Sequence, residues 1–148
     1  MKIALYQPDI PQNLGAMIRL CGCVGASLDI IEPCGFIYDA RKIRQSAMDY
    51  YDKIKITRHN DWDEFYNLYH GNQRIILMST KAAVPYIDFE FQEDDILLAG
   101  SESSGVPEEV HEKSDNRVFI PMEEGFRSLN IVNATSMILG EAMRQTKW

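Results

Sequence analysis

Asp95-Ile96-Leu97-Leu98-Ala99, then Gly100-Ser101-Glu102-Ser103-Ser104-Gly105-Val106-Pro107, then Glu108 to Glu112, is the stretch that decides the fold. A short apolar run bounded by polar residues reads as a strand buried on both faces. The loop after it carries two glycines and a proline, and the acidic residues beyond it suit the start of a short helix. A strand that ends in a polar loop and feeds a helix is the repeating unit of a parallel α/β sheet.

The same unit recurs outward from this stretch. Lys2 to Tyr6 reads as a first buried strand, ended by the turn Pro8-Asp9-Ile10-Pro11, and Ala16 to Val24 as a helix with Asn13 as its cap. Leu28 to Ile31 is a second strand, Ala40 to Met48 a short helix, and Lys53 to Thr57 an alternating strand. Asp61 to Tyr69 places Trp62, Phe65, Tyr66 and Tyr69 on one helical face, an aromatic stripe read as core rather than as a ligand box. Arg74 to Met78 and Arg117 to Ile120 complete the strands. Leu129 to Met143 is the last helix, capped by Ser128 or Asn130, with Ile131, Ala134, Ile138 and Ala142 as its apolar stripe. The expectation is an α/β fold, a mostly parallel sheet flanked by helices, in a single domain over residues 1–148. Ligands in such folds bind beyond the carboxyl ends of the strands.

Composition narrows the function. The 148 residues are 45% hydrophobic with a formal net charge of -7, which excludes a protein that wraps nucleic acid by charge alone but leaves room for a local basic patch. Arg41, Lys42 and Arg44 form the densest positive cluster, either a phosphate contact or an ordinary solvated helix face. Pro8 and Asp9 interrupt any apolar signal region, and no apolar run approaches the roughly 18 residues a membrane span needs, so a cytoplasmic protein without membrane contact is expected. Cys21, Cys23 and Cys34 make no even disulfide framework, and His59, His70 and His111 are too scattered to complete a zinc site, so reduced cysteines and no metal are expected.

Three loops concentrate polar and turn-forming residues: Pro8 to Gly15 with Arg19 beyond it, Gly100 to Pro107, and Ile120 to Asn133. None ends in the Gly-Lys-Ser/Thr of a phosphate-binding loop, and no Gly-x-Gly-x-x-Gly occurs. A nucleophile elbow is absent too, which argues against a serine hydrolase.

Taken in order, Asn13-Leu14-Gly15-Ala16-Met17-Ile18-Arg19, Gly100 to Pro107, and Ile120-Pro121-Met122 leading to Arg127-Ser128-Leu129-Asn130-Ile131-Val132-Asn133-Ala134 resemble the motifs of the SPOUT superfamily of knotted RNA methyltransferases. Ile31 to Phe36 and Ala47 to Tyr50 are similar to its branch that methylates the ribose 2'-hydroxyl of cytidine or uridine at tRNA position 34. The resemblance covers nearly the whole chain. It implies a homodimer with a deep trefoil knot within residues 75–148, S-adenosylmethionine as cofactor, and a tRNA anticodon stem-loop as substrate, with no DNA partner. Carried over residue by residue, it gives Leu77, Ser79, Thr80, Gly100, Glu102, Gly105, Ile120, Met122, Ser128 and Leu129 to the cofactor. It gives Arg19, Asn13, Glu102, Ser128 and Asn130 to catalysis. Arg41, Lys42, Arg44 and Lys81 are then candidates for RNA phosphate, and Tyr50 for base stacking or the dimer face. Many relatives read Pro-Glu-Thr-Arg-Gly where this chain has Ser101-Glu102-Ser103-Ser104-Gly105, so an arginine is missing from the middle loop. Two other readings share the fold: a ribosomal-RNA 2'-O-methyltransferase, and a non-catalytic RNA-binding or assembly protein.

Overall fold

A computed structural model describes residues 1–147. Its strands are β1 (Lys2–Tyr6), β2 (Ser27–Ile31), β3 (Ile56–His59), β4 (Ile75–Met78), β5 (Val84–Pro85), β6 (Ile96–Ala99) and β7 (Asn116–Phe119). The helices are α1 (Pro11–Val24), α2 (Ala40–Ala47), α3 (Trp62–Tyr69), α4 (Glu108–Lys113) and α5 (Ile131–Thr146). The strands form one sheet in the order β3-β2-β1-β6-β4-β7-β5, and every pairing is parallel. The parallel α/β expectation therefore holds.

Side chains alternate across each strand, so each face of the sheet acquires its own core. Ile3 and Leu5 of β1, with Leu97 and Ala99 of β6, face Met17, Ile18, Ile138 and Leu139 of α1 and α5. Ala4 and Tyr6, with Ile96 and Leu98, face Trp62 and Phe65 of α3 and Val110 of α4. β1, β6 and β4 are in register through Ile3, Leu97 and Ile76, which fixes the central strands side by side. Asp29, fully buried on β2, accepts from Lys2 Nζ at 3.0 Å and Tyr69 Oη at 2.6 Å and lies 2.8 Å from His59 Nε2, so its charge is compensated.

Four sequence expectations need correction. Asn13 is not the cap of α1: the helix begins at Pro11, whose missing N–H suits the first position, and Ile10 precedes it without a side-chain cap. The strand expected at Lys53 to Thr57 lies at Ile56–His59, because pairing with β2 runs from Leu28↔Ile56 to Ile31↔His59. The buried face of α5 is Thr135, Ile138, Leu139, Ala142 and Met143, while Ile131 and Ala134 are half-buried. β5 was not expected at all, since two residues at the sheet edge leave no periodic signal. By contrast Asp61 caps α3 through Glu64 N at 2.8 Å, and Asn130 caps α5 through Val132 N at 2.9 Å. Among the described residues the cysteines are all free, and no helix is long and apolar enough to cross a membrane.

Phe65 is fully buried, with ring neighbours His59 at 5.3 Å, Tyr69 at 5.1 Å and Trp62 at 5.5 Å. Phe65→Ala is expected to cost about 3–5 kcal/mol in denaturant unfolding, with ligand affinity at the far ends of the strands unchanged.

Candidate functional site

The carboxyl ends of β4, β6 and β7 open onto a cavity of about 480 Å³. Leu77 to Lys81 wall it from the last residues of β4 into the loop beyond, Gly100 to Glu102 and Ser104 to Val106 after β6, and Val118 to Ile120 with Met122 from the end of β7 onward. The residues opening α5, Ser128 to Ile131, close a further side, and Ile10 and Asn13 reach in from the start of α1. Its volume falls within the roughly 300–1,000 Å³ usual for small-molecule sites.

The middle loop is shaped by its two glycines. Ser101 and Gly105 exchange backbone hydrogen bonds at 2.9 and 2.8 Å, which turns the loop back on itself. A side chain at Gly100 would place its Cβ 2.8 Å from the Gly105 carbonyl carbon, and Gly105 itself has a φ of +68°, so both positions need glycine.

A directional chain of hydrogen bonds ties the three loops together. Asp9 N donates to Glu102 Oε2 at 3.0 Å, and Asn13 Nδ2 donates to Glu102 Oε1 at 3.1 Å. Asn13 Oδ1 in turn accepts from Asn130 Nδ2 at 3.1 Å, and Asn130 Oδ1 accepts from the first amides of α5. A carboxylate can only accept, so Glu102 orients both amides behind it. Asparagine is required at 13 and 130 because each must donate and accept at once.

Asp9, which sequence reasoning treated only as a turn residue, is the fourth member of this cluster. Its Oδ2 accepts from Ser101 Oγ at 3.2 Å and from Ser103 Oγ. Hydrogen bonding from Glu102, then from Ser103 and Ser101, holds the Asp9 carboxyl down at about 2. Burial, and then the adjoining Asp9 carboxylate, push Glu102 above the ordinary 4.5. The signal in the sequence was the two prolines that fix the loop around Asp9.

Every residue assigned above to the cofactor lies in the cavity wall: Leu77, Ser79, Thr80, Gly100, Glu102, Gly105, Ile120, Met122, Ser128 and Leu129. Of the residues assigned to catalysis, Asn13, Glu102, Ser128 and Asn130 are there as well. Arg19 is not. It is exposed on α1, six residues past Asn13, hence roughly 9 Å further along the helix and about a third of a turn round it. Among the residues considered for RNA, Lys81 lines the cavity and the others do not. Arg41 and Lys42 are exposed on α2, and Arg44 bonds Asp52 at 2.7 Å. Tyr50 is half-buried against Gly22, where a Cβ would sit 2.9 Å from its ring. Sequence reasoning also missed Val106, His111, Thr135 and Ile138 in the wall. Thr135 was the one of these with a legible signal, a polar residue four after Ile131 and three before Ile138 on the same helical face. Among the described residues no group of three or more His, Cys, Asp or Glu side chains is placed to hold a metal ion.

Fold and site together define a parallel α/β protein with a ligand-sized cavity over the strand ends, fed by loops from both halves of the chain. The chain belongs to the SpoU rRNA Methylase family, whose profile it matches over residues 1–140. It is 52% identical over 145 residues to a tRNA (cytidine(34)-2'-O)-methyltransferase of Beijerinckia indica, covering 97% of this chain and 90% of that one. A solved structure from work on the 2-OH methylation of C/U34 on tRNA superposes with a TM-score of 0.92 at 33% identity, covering 97% of this chain and 94% of its own. The AdoMet-bound rRNA methyltransferase of Sinorhizobium meliloti superposes with a TM-score of 0.87 at 25% identity, covering 97% of this chain and 55% of that one. The cavity fits such a cofactor: Leu77, Val118, Ile120, Leu129 and Ile138 offer apolar surface for a flat ring, while Ser79, Thr80, Ser128 and the loop amides serve polar groups.

The Asp9 and Glu102 pair gives a pH signature. A raised carboxyl contributes its full stabilisation below 4.5 and loses it as the pH climbs through the raised value, whereas Asp9 contributes above 3.8 and loses its share only as the pH falls towards about 2. Thermal melts from pH 4.5 towards neutrality should therefore show the wild type losing Tm relative to Glu102→Gln. A difference that stays flat with pH would mean that the Glu102 carboxyl is not raised in the folded protein.

Proposed function

We propose that this chain transfers the methyl group of S-adenosylmethionine to the ribose 2'-hydroxyl of nucleotide 34 in the tRNA anticodon stem-loop, acting as a homodimer. The observation that carries the reading is the convergence of the three motif-bearing loops on one cavity of cofactor size. The likeness to cytidine(34) enzymes across 97% of the chain supports the substrate. Bound S-adenosylmethionine supplies an electrophilic methyl group. Leu77 and Ile120, with the cavity-facing side of Leu129, would offer the adenine apolar surface, and Gly100 and Gly105 would let the loop backbone approach it. Asn13, Glu102, Ser128 and Asn130 would hold the ribose and orient its hydroxyl towards the methyl, which is chiefly a contribution of orientation.

The proton on a ribose hydroxyl is weakly acidic, and Arg19, permanently cationic, would lower its pKa and hold the neighbouring phosphate; as the O–CH3 bond forms and the S–CH3 bond breaks, the proton would pass to an RNA phosphate oxygen or to water. Because Arg19 stands outside its own cavity, it serves the cavity of the other subunit. Exposed Phe126 and Met137, and the rim residues Ile10 and Leu129, make an apolar margin suited to that subunit contact. Arg41, Lys42 and Lys81 contact RNA phosphate. A trefoil knot within 75–148 accords with β6 lying between β1 and β4 while α5 returns to pack on α1 after β7. The site of action is the cytoplasm. A ribosomal-RNA substrate is the second reading, favoured by the likeness to the S. meliloti enzyme.

The test is methyl transfer from labelled S-adenosylmethionine to anticodon stem-loops carrying ribose or 2'-deoxyribose at position 34. Incorporation only with ribose is expected; none with either, or transfer into ribosomal RNA alone, would refute the reading. Arg19→Ala should lower kcat about 100-fold or more while cofactor affinity is retained.

A further inference from the structure

Two polar atoms in the cavity wall have no hydrogen-bond partner. Thr135, in the second turn of α5, is fully buried, and its Oγ1 is unpaired. His111, on α4, lines the same cavity with a buried Nε2 that is also unpaired. Leaving such groups unsatisfied costs about 1–3 kcal/mol each, so their presence calls for a reason. Nearby hydroxyls take the usual way out: Ser136 Oγ donates to Val132 O at 2.7 Å and Thr146 Oγ1 to Ala142 O at 2.8 Å. Thr135 has the same option through the carbonyl four residues back and does not use it. Trp62 Nε1, unpaired as well, lies under α3 in the opposite core and outside the cavity.

We propose that Thr135 Oγ1 and His111 Nε2 are recognition atoms for the adenosine part of the cofactor, and that their hydrogen bonds are completed only when it binds. The inference rests on the reading that S-adenosylmethionine occupies this cavity. The orientation follows from the walls. The methyl group has to meet RNA, so it faces the part-exposed cluster of Asn13, Glu102 and Asn130. The adenosine then extends to the closed end, where Thr135, Val118 and Ile138 are at most 1% exposed. Adenine and ribose present both donors and acceptors there. A hydroxyl can donate or accept, and an imidazole nitrogen does either according to its tautomer, so both side chains can answer them.

A group that is unsatisfied until its ligand arrives makes the free protein less stable and the complex tighter. Thr135→Val and His111→Leu should each weaken binding of S-adenosylhomocysteine and of 5'-methylthioadenosine about five- to tenfold by titration calorimetry. The Tm of the free protein should stay level or rise. Methylthioadenosine affinity that is unchanged in both variants, or a free-protein Tm that falls together with affinity, would overturn the proposal. If the wild type itself binds neither compound, the cofactor reading fails instead, so the two failures are distinguishable.

Discussion

The site depends on one carboxylate that can only accept. Glu102, carried on the loop after β6, accepts from the backbone of Asp9 after β1 and from the side-chain amide of Asn13 at the start of α1. Asn13 passes the same polarity to Asn130, which caps α5. Segments separated by 89 and 117 positions in the chain are thereby held within hydrogen-bond distance of one another. None of these bonds is strong alone, but because each fixes the orientation of the next, loss of any member releases a loop rather than a contact.

The sheet sets where that chain can form. β6 runs between β1 and β4, so the loops after β1 and β6 leave neighbouring strands on the same edge. β4 and β7 add the other wall, and α5 lies across the face that also carries α1. Cavity, hydrogen-bond chain and both cores are consequences of one strand order. The acidic pair of Asp9 and Glu102 sits at the mouth of this arrangement, tied through the backbone amide of Asp9.

Much of the fold was legible because buried strands such as Ile75–Met78 and Ile96–Ala99 are unbroken apolar runs, and because Asn130, one of the two caps offered for the last helix, is the one that caps it. Asn13 misled because a cap residue and a tertiary hydrogen-bonding residue look alike in sequence; only the fold brings Glu102 within 3.1 Å of it. The motif loops were legible through resemblance, whereas composition alone left each of them open. The roles of Asp9, His111 and Thr135 were not legible, even where the residue itself carried a signal. Their roles arise from partners on remote segments, or from the lack of any, and a linear pattern records neither. Arg19 was legible as a motif residue while its place outside the cavity was not, since the six residues from Asn13 carry it about a third of a turn round α1 and only the fold shows which arc faces the strand ends.

The central claim is that loops after β4 and β6 and the segment opening α5 close on one cofactor. Amide hydrogen exchange followed by mass spectrometry, with and without S-adenosylhomocysteine, tests it most directly. Protection should appear together in peptides covering residues 77–81, 100–106 and 120–131, at the same ligand concentration, and not in α3. Protection of only one of these segments, or of a surface away from the strand ends, would contradict the account.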